Sequence, residues 1–177
     1  MSRRMNLTYP ALLLSLSLAP ALLADVTVTL KDVHLCCNSC VKGVDKAVAT
    51  VNGVAAQSDQ DAETVTLTAP DKVAAQKAVD ALVAAGYFGV PSDPSITLAA
   101  PSGAPAGKVQ TLEVSGVHLC CKKCVVAVNE AVEKVPGVKS TTAVKDAKTF
   151  EVRGDFDAKA VFDALHDAGL TGTTAAK

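Results

Sequence analysis

The chain has no tryptophan, two tyrosines, four phenylalanines and two methionines. Any core it forms is therefore built from small aliphatic side chains, and Ala, Val and Leu carry most of its 49% hydrophobic content. It lacks a basic patch interleaved with aromatics, which removes the usual footprint of a nucleic-acid binder. It also lacks an apolar run of the roughly 20 residues that span a bilayer. The longest run, Ala11 to Leu23, is broken by Ser15, Ser17 and Pro20. Histidine is scarce, at three residues, and there are six cysteines. All six cysteines and two of the histidines fall in two copies of one stretch, Val33-His34-Leu35-Cys36-Cys37-Asn38-Ser39-Cys40 and Val117-His118-Leu119-Cys120-Cys121-Lys122-Lys123-Cys124.

The N-terminus carries an address. Arg3 and Arg4 precede the short apolar run, and small residues follow at Ala21 and Ala24, the pattern of a cleaved export signal over residues 1–24. Cleavage is expected near Ala24, with Ala21 as the other candidate. No cysteine stands there to take a lipid. Ser2-Arg3-Arg4 with Leu7 partly resembles a twin-arginine signal, and the general and twin-arginine routes both stay open. Removing Arg3 and Arg4 from the 17 basic residues leaves 15 against 18 acidic, a net charge near -3 with His neutral. The mature chain is expected to be periplasmic or secreted, without a membrane span.

A constant shift of 84 carries His34 to His118, each cysteine of the first triplet to one of the second, Val44 to Val128, Val48 to Val132 and Gly53 to Gly137. The register then slips by one, so that Val65 and Leu67 match Phe150 and Val152. It slips back to match Leu82 with Leu165 and Gly86 with Gly169. Insertions confined to turns are what two copies of one fold show.

In each copy the period changes in a fixed order. Val26, Val28 and Leu30 alternate with polar residues, as do Leu112 and Val114, which is strand spacing. Val41, Val44, Val48 and Val51, and then Val125, Val128, Val132 and Val135, recur at helical spacing up to Asn52-Gly53 and Pro136-Gly137. Two strands follow, the second of each pair being Thr64 to Thr68 or Thr149 to Val152. A second helix is capped by Asp71 or Asp157 and ends at Gly86 or Gly169. A short extended piece closes each unit. The order βαββαβ predicts an α+β protein of two tandem ferredoxin-like domains, each an antiparallel sheet with both helices on one face. The boundaries are 25–92 and 108–177, joined by a Pro/Ser/Gly/Ala linker over 93–107 that reads as a semi-extended spacer. Ile96-Thr97-Leu98 suits either a strand in that linker or the last strand of the first unit.

Each cysteine triplet lies between the first strand and the first helix. Cys40 and Cys124 are expected in the first helical turn, where unpaired N–H groups and the helix dipole stabilise a thiolate. The C-x-x-C pairs Cys37 with Cys40 and Cys121 with Cys124 can point two sulfurs at one ion, and soft sulfur selects Cu(I) or Hg(II). His166, which has no counterpart at Val83, reads as a surface residue.

Here a resemblance enters. Val114-Ser115-Gly116-Val117, Cys121-Lys122-Lys123-Cys124-Val125, Ala131-Val132 and Val135-Pro136-Gly137-Val138 resemble the heavy-metal-associated domain, over nearly all of 108–172 and more loosely 25–92. The resemblance implies metal binding at Cys37 with Cys40 and at Cys121 with Cys124, and places the protein beside copper chaperones, copper-ATPase modules and the periplasmic mercury-binding protein. The chain departs from the pattern in lacking Gly-Met before the loop, in its inserted His-Leu and in the additional Cys36 and Cys120. These cysteines would be third thiolates, with His34 and His118 as further ligands.

The expected function is non-enzymatic sequestration, buffering or transfer of a soft metal, Cu(I) foremost, with Hg(II) and Zn(II) as alternatives. The partners are the metal ions and a metal transporter or acceptor protein. Each triplet is expected to bind its own ion, although two joined units could also clamp one ion between them. Three other readings stay open. A Cys₃His zinc site has the ligand types, but four ligands within seven residues wrap a tetrahedron poorly. A dithiol oxidoreductase suits C-x-x-C at a helix start, and a disulfide-stabilised interaction module suits an oxidising compartment. Three cysteines per copy cannot pair completely within the copy.

Overall fold

The computed structural model describes residues 25–175; the expected export signal lies outside them. The first unit runs β1 (Val26–Lys31), α1 (Asn38–Val48), β2 (Ala55–Asp59), β3 (Thr64–Ala69), α2 (Lys72–Ala84) and β4 (Val90–Pro91). The second runs β5 (Lys108–Ser115), α3 (Lys122–Glu133), β6 (Val138–Thr141), β7 (Thr149–Asp157), α4 (Ala158–Asp167) and β8 (Thr173–Thr174). Their sheets are ordered β2-β3-β1-β4 and β6-β7-β5-β8, with every pairing antiparallel. This is the ferredoxin-like order, twice.

The alternation read from sequence sets the burial. Val28 and Leu30 on β1 face Leu67 and Val65 on β3, and all four are buried. Val44 and Val48 of α1 and Ala75, Ala78, Val79 and Leu82 of α2 close that core. In the second unit Leu112, Val114, Phe150, Val152 and Phe156 meet Val128, Val132, Val161, Phe162 and Leu165. Each such Val or Leu contributes roughly 1.5–3 kcal/mol when fully buried. The Asp71 side chain accepts from Ala74 N–H, and that of Asp157 from Lys159 and Ala160 N–H, so both second helices are capped where expected. Ile96-Thr97-Leu98 is not a strand. Ile96 is buried, and Thr97 exchanges two hydrogen bonds with Gln76 on α2, so this part of the 93–107 stretch packs against the first unit.

The two units meet through matched segments after α2 and α4. Tyr87 pairs with Leu170 as an antiparallel bridge, Phe88 N–H donates to Gly169 C=O at 3.1 Å, and Thr171 N–H donates to Gly86 C=O at 3.0 Å. Each segment also backs onto the other unit's cysteine loop. A Cβ on Gly86 would lie 2.5 Å from Gly116 O and 2.6 Å from His118 N. A Cβ on Gly169 would strike Asp32 O and lie 2.5 Å from His34 N. Both glycines have positive φ, +87° and +70°, which a larger residue adopts only with strain. His166 is half-buried rather than at the surface, because Phe88 of the first unit stacks on it at 4.0 Å between ring centroids.

Gly86→Ala and Gly169→Ala are each expected to lower stability by about 1–3 kcal/mol, from backbone strain plus backbone contact. Thermal unfolding measures this. Wild-type stability in both variants would show that the close approach of the units is not as described.

Candidate metal centre

Cys37 and Cys121 are the N-caps of α1 and α3, with extended backbone and no side-chain cap hydrogen bond. Cys40 and Cys124 stand in the first turns and are fully buried, whereas Cys36, Cys37, Cys120 and Cys121 are half-buried. Each loop holds its own pair close: Cys37–Cys40 is 3.8 Å between sulfurs and Cys121–Cys124 is 3.7 Å. Cys36 lies 3.6 Å from Cys40, and Cys120 lies 3.7 Å from Cys124.

The loops are not separate sites. Across the units Cys36 lies 3.5 Å from Cys121 and 3.6 Å from Cys124. Cys37 lies 3.7 Å from Cys121 and 4.0 Å from Cys120, and Cys40 lies 3.6 Å from Cys120 and 3.9 Å from Cys124. Six free sulfurs thus share one small volume between two helix N-termini. Lys123 Nζ reaches across to the carbonyl of Cys36 at 3.4 Å. The two triplets face one another, because the bridge between Tyr87 and Leu170 draws the two strand-helix loops together.

The histidines differ from one another. The buried Tyr87 donates its only hydroxyl hydrogen to Cys40 C=O at 2.8 Å, so its oxygen accepts from His118 Nε2 at 3.0 Å. At the matching position of the second unit stands Leu170, which offers His34 nothing. His34 Nε2 is buried without a hydrogen-bond partner, and a ring nitrogen of His34 lies within 4.8 Å of the sulfurs of Cys36 and Cys124. Burial holds the His34 pKa below the ordinary value, which favours the neutral, ligating form. His34 thus keeps an unpaired ring nitrogen and lies near two sulfurs, whereas His118 props Cys40 through Tyr87. The sequence reading treated the two alike and missed Tyr87. The signal available was the mismatch of Tyr87 with Leu170 at the repeat shift that pairs Gly86 with Gly169.

Crowding splits the thiol acidities. Cys40 is pulled down to about 2, first by the Cys124 thiol, then against burial by His118, Cys36 and Cys120. Cys124 rises in return, since it supplies that hydrogen bond. Cys36 and Cys120 are raised by burial first and by their sulfur neighbours next. Burial opposes ionisation of Cys121 too, but the backbone N–H of Cys124 and the sulfurs of Cys36, Cys124 and Cys37 bring it down to about 7. Without a cation the centre keeps protons on several sulfurs. With one, those protons leave.

Beside His34 opens a groove of about 650 Å³ between the first unit's loop and α3 and α4. Asp32, Glu63, Glu130, Asp163 and Asp167 line it, with Lys134 the one basic group.

Against known proteins, no protein-family model and no curated protein matches the chain. Among solved structures it is similar to a copper-binding domain from HMA7, a P-type ATPase, at 21% identity over 38% of this chain and 96% of that one, TM-score 0.35. It is similar to oxidized MerP from Ralstonia metallidurans CH34, at 25% identity over 38% and 97%, TM-score 0.34. The N-terminal soluble domains of Bacillus subtilis CopA align over 86% of this chain and 95% of theirs, at 13% identity and TM-score 0.32. The class defined by fold and site together is a paired ferredoxin-like protein with its six thiols gathered at the junction.

In the metal-free, reduced chain, alkylation of Cys121 is expected to accelerate as pH rises through about 7, because its thiolate forms there. Cys40 ionises far earlier but is buried. Rate profiles of the wild type and Cys121→Ser check this. A fast phase that appears only near the ordinary thiol pKa, or that persists in the variant, would contradict it.

Proposed function

We propose that this chain is an exported, non-catalytic soft-metal-binding protein, in which both units hold the metal jointly for buffering or hand-over. The observation that carries the reading is the set of sulfur–sulfur distances of 3.5–4.0 Å across the two units. Six thiolates on half-buried loops repel one another strongly and are stabilised by cations that tolerate sulfur, of which Cu(I) and Hg(II) are the natural choices. The two helix N-termini aimed at the sulfurs add to the stabilisation of thiolate.

Two features favour binding and transfer over thiol exchange. Cys121 has the lowered pKa of an attacking thiol, but it faces Cys36 and Cys37 of the other unit at 3.5 and 3.7 Å, so it stands within a group of six sulfurs and not as the one exposed thiol of an exchange pair. The acidic groove attracts cations, and His34 stands between it and the sulfurs of Cys36 and Cys124. Metal passes by ligand exchange through this side, from sulfur to the neutral His34 ring and on to an acceptor protein. Among the described residues no helix is long and apolar enough to cross a membrane. The N-terminal pattern supports export, and the protein recovered from the cell envelope or medium should begin just after Ala24 or Ala21. An intact Met1 by mass spectrometry would refute that.

Competition against a Cu(I) chelator tests the joint site. The double variant Cys37→Ser/Cys40→Ser is expected to weaken the whole site at least tenfold, since the sulfurs of the other loop lose their partners. Half the capacity retained at full affinity would instead mean independent sites.

A further inference from the structure

Resting on that reading, we infer that the centre takes a cluster of four Cu(I) ions and not a single ion. Each copper would be held by three sulfurs, and each sulfur would bridge two coppers. The sulfurs are arranged as the corners of an octahedron. The separations of 3.5–4.0 Å form ten edges, and the adjacent pairs Cys36–Cys37 and Cys120–Cys121, each within 4.8 Å, supply the remaining two. Cys36 is then opposite Cys120, Cys37 opposite Cys124, and Cys40 opposite Cys121.

Size decides where an ion fits. At the centre of an octahedron with edges near 3.7 Å, an ion would sit about 2.6 Å from every sulfur, longer than the roughly 2.3 Å of a metal–thiolate bond. In a triangular face with edges of 3.6–4.0 Å it sits about 2.1–2.3 Å from three sulfurs, which matches that bond length. Four alternating faces use each sulfur twice: Cys36–Cys40–Cys124, Cys36–Cys37–Cys121, Cys37–Cys40–Cys120 and Cys120–Cys121–Cys124. The first has edges of 3.6, 3.6 and 3.9 Å. The other three are groups whose ligand atoms all lie within 4.8 Å of one another.

Charge points the same way. Six thiolates with one Cu(I) keep five negative charges, whereas four Cu(I) leave two. Helix N-termini and Lys123 can offset the smaller remainder but not the larger. Loading exchanges the thiol protons for four Cu(I) ions without change of oxidation state, and the protons go to solvent. The two units must share the cluster, because three of the faces draw sulfurs from both loops and the fourth is joined to them by shared corners.

The test is anaerobic titration of the reduced full chain with Cu(I) held in a competing chelator, read by native mass spectrometry and X-ray absorption. The expected result is a chain with four coppers appearing directly beside the empty one, with copper–copper scattering. Cys36 and Cys120 are opposite corners, and every occupied face contains one of them. The double variant Cys36→Ser/Cys120→Ser should therefore retain no more than two coppers, one at each C-x-x-C pair. Saturation of the wild type at one or two coppers, or an unchanged capacity of four in the double variant, would overturn the cluster while leaving soft-metal binding intact. No copper taken from the chelator would overturn both.

Discussion

Everything at the junction follows from one electrostatic constraint: six sulfurs within 4–5 Å of their neighbours cannot all be thiolates unless cations lie among them. In the metal-free protein the conflict is met with protons. Cys40 ionises at the expense of Cys124, and Cys36 and Cys120 stay protonated. The fold concentrates the conflict, since both helix N-termini and both strand-helix loops converge there. A soft cation relieves it at every sulfur it touches. Such a centre prefers several monovalent ions to one, for reasons of residual charge as much as of size.

The pseudo-twofold repeat builds the centre, and its one break gives it direction. Gly86 and Gly169 exchange equivalent contacts, and the cysteine triplets are equivalent in burial. Tyr87 and Leu170 are not equivalent. The tyrosine hydroxyl ties His118 of the second loop to the Cys40 carbonyl of the first and so fixes the two loops to each other. Where leucine stands instead, His34 Nε2 is buried without a partner, in a ring that lies near the sulfurs of Cys36 and Cys124 and beside an acidic groove. An unpaired buried polar group costs roughly 1–3 kcal/mol, a cost that a ligand to its nitrogen would offset. On the proposed reading, the His34 side is the one through which metal would exchange.

Much of this was legible in the residues. The alternation of Val26, Val28 and Leu30, the valines at helical spacing and the caps Asp71 and Asp157 specify both βαββαβ units through local physics. The repeat shift of 84 makes them two of a kind. What sequence left open was the arrangement of the units, because that depends on contacts between residues far apart in the chain. The glycine pair and the odd tyrosine carry this information, but only a structure shows that each glycine faces the other unit's loop. The packing of Ile96 in the Pro-rich stretch was hidden for the same reason. A buried isoleucine and the two hydrogen bonds that Thr97 exchanges with Gln76 override what composition suggests about a spacer.

The joint centre also makes stability and affinity one quantity. In the proposed joint centre most ligand sets draw on both loops, so metal would bind the docked pair better than separated units, and binding would add its free energy to docking. At free metal a hundred times the dissociation constant the added stabilisation is about 2.7 kcal/mol. The connecting segment works in the same sense. By holding the second loop near the first, it replaces a bimolecular encounter with an intramolecular one of high effective concentration. Release requires the reverse. On the proposed reading, an acceptor would not have to pull all the sulfurs away at once, because loss of one ion from the His34 side would restore repulsion among the sulfurs and weaken the hold on the ions that remain.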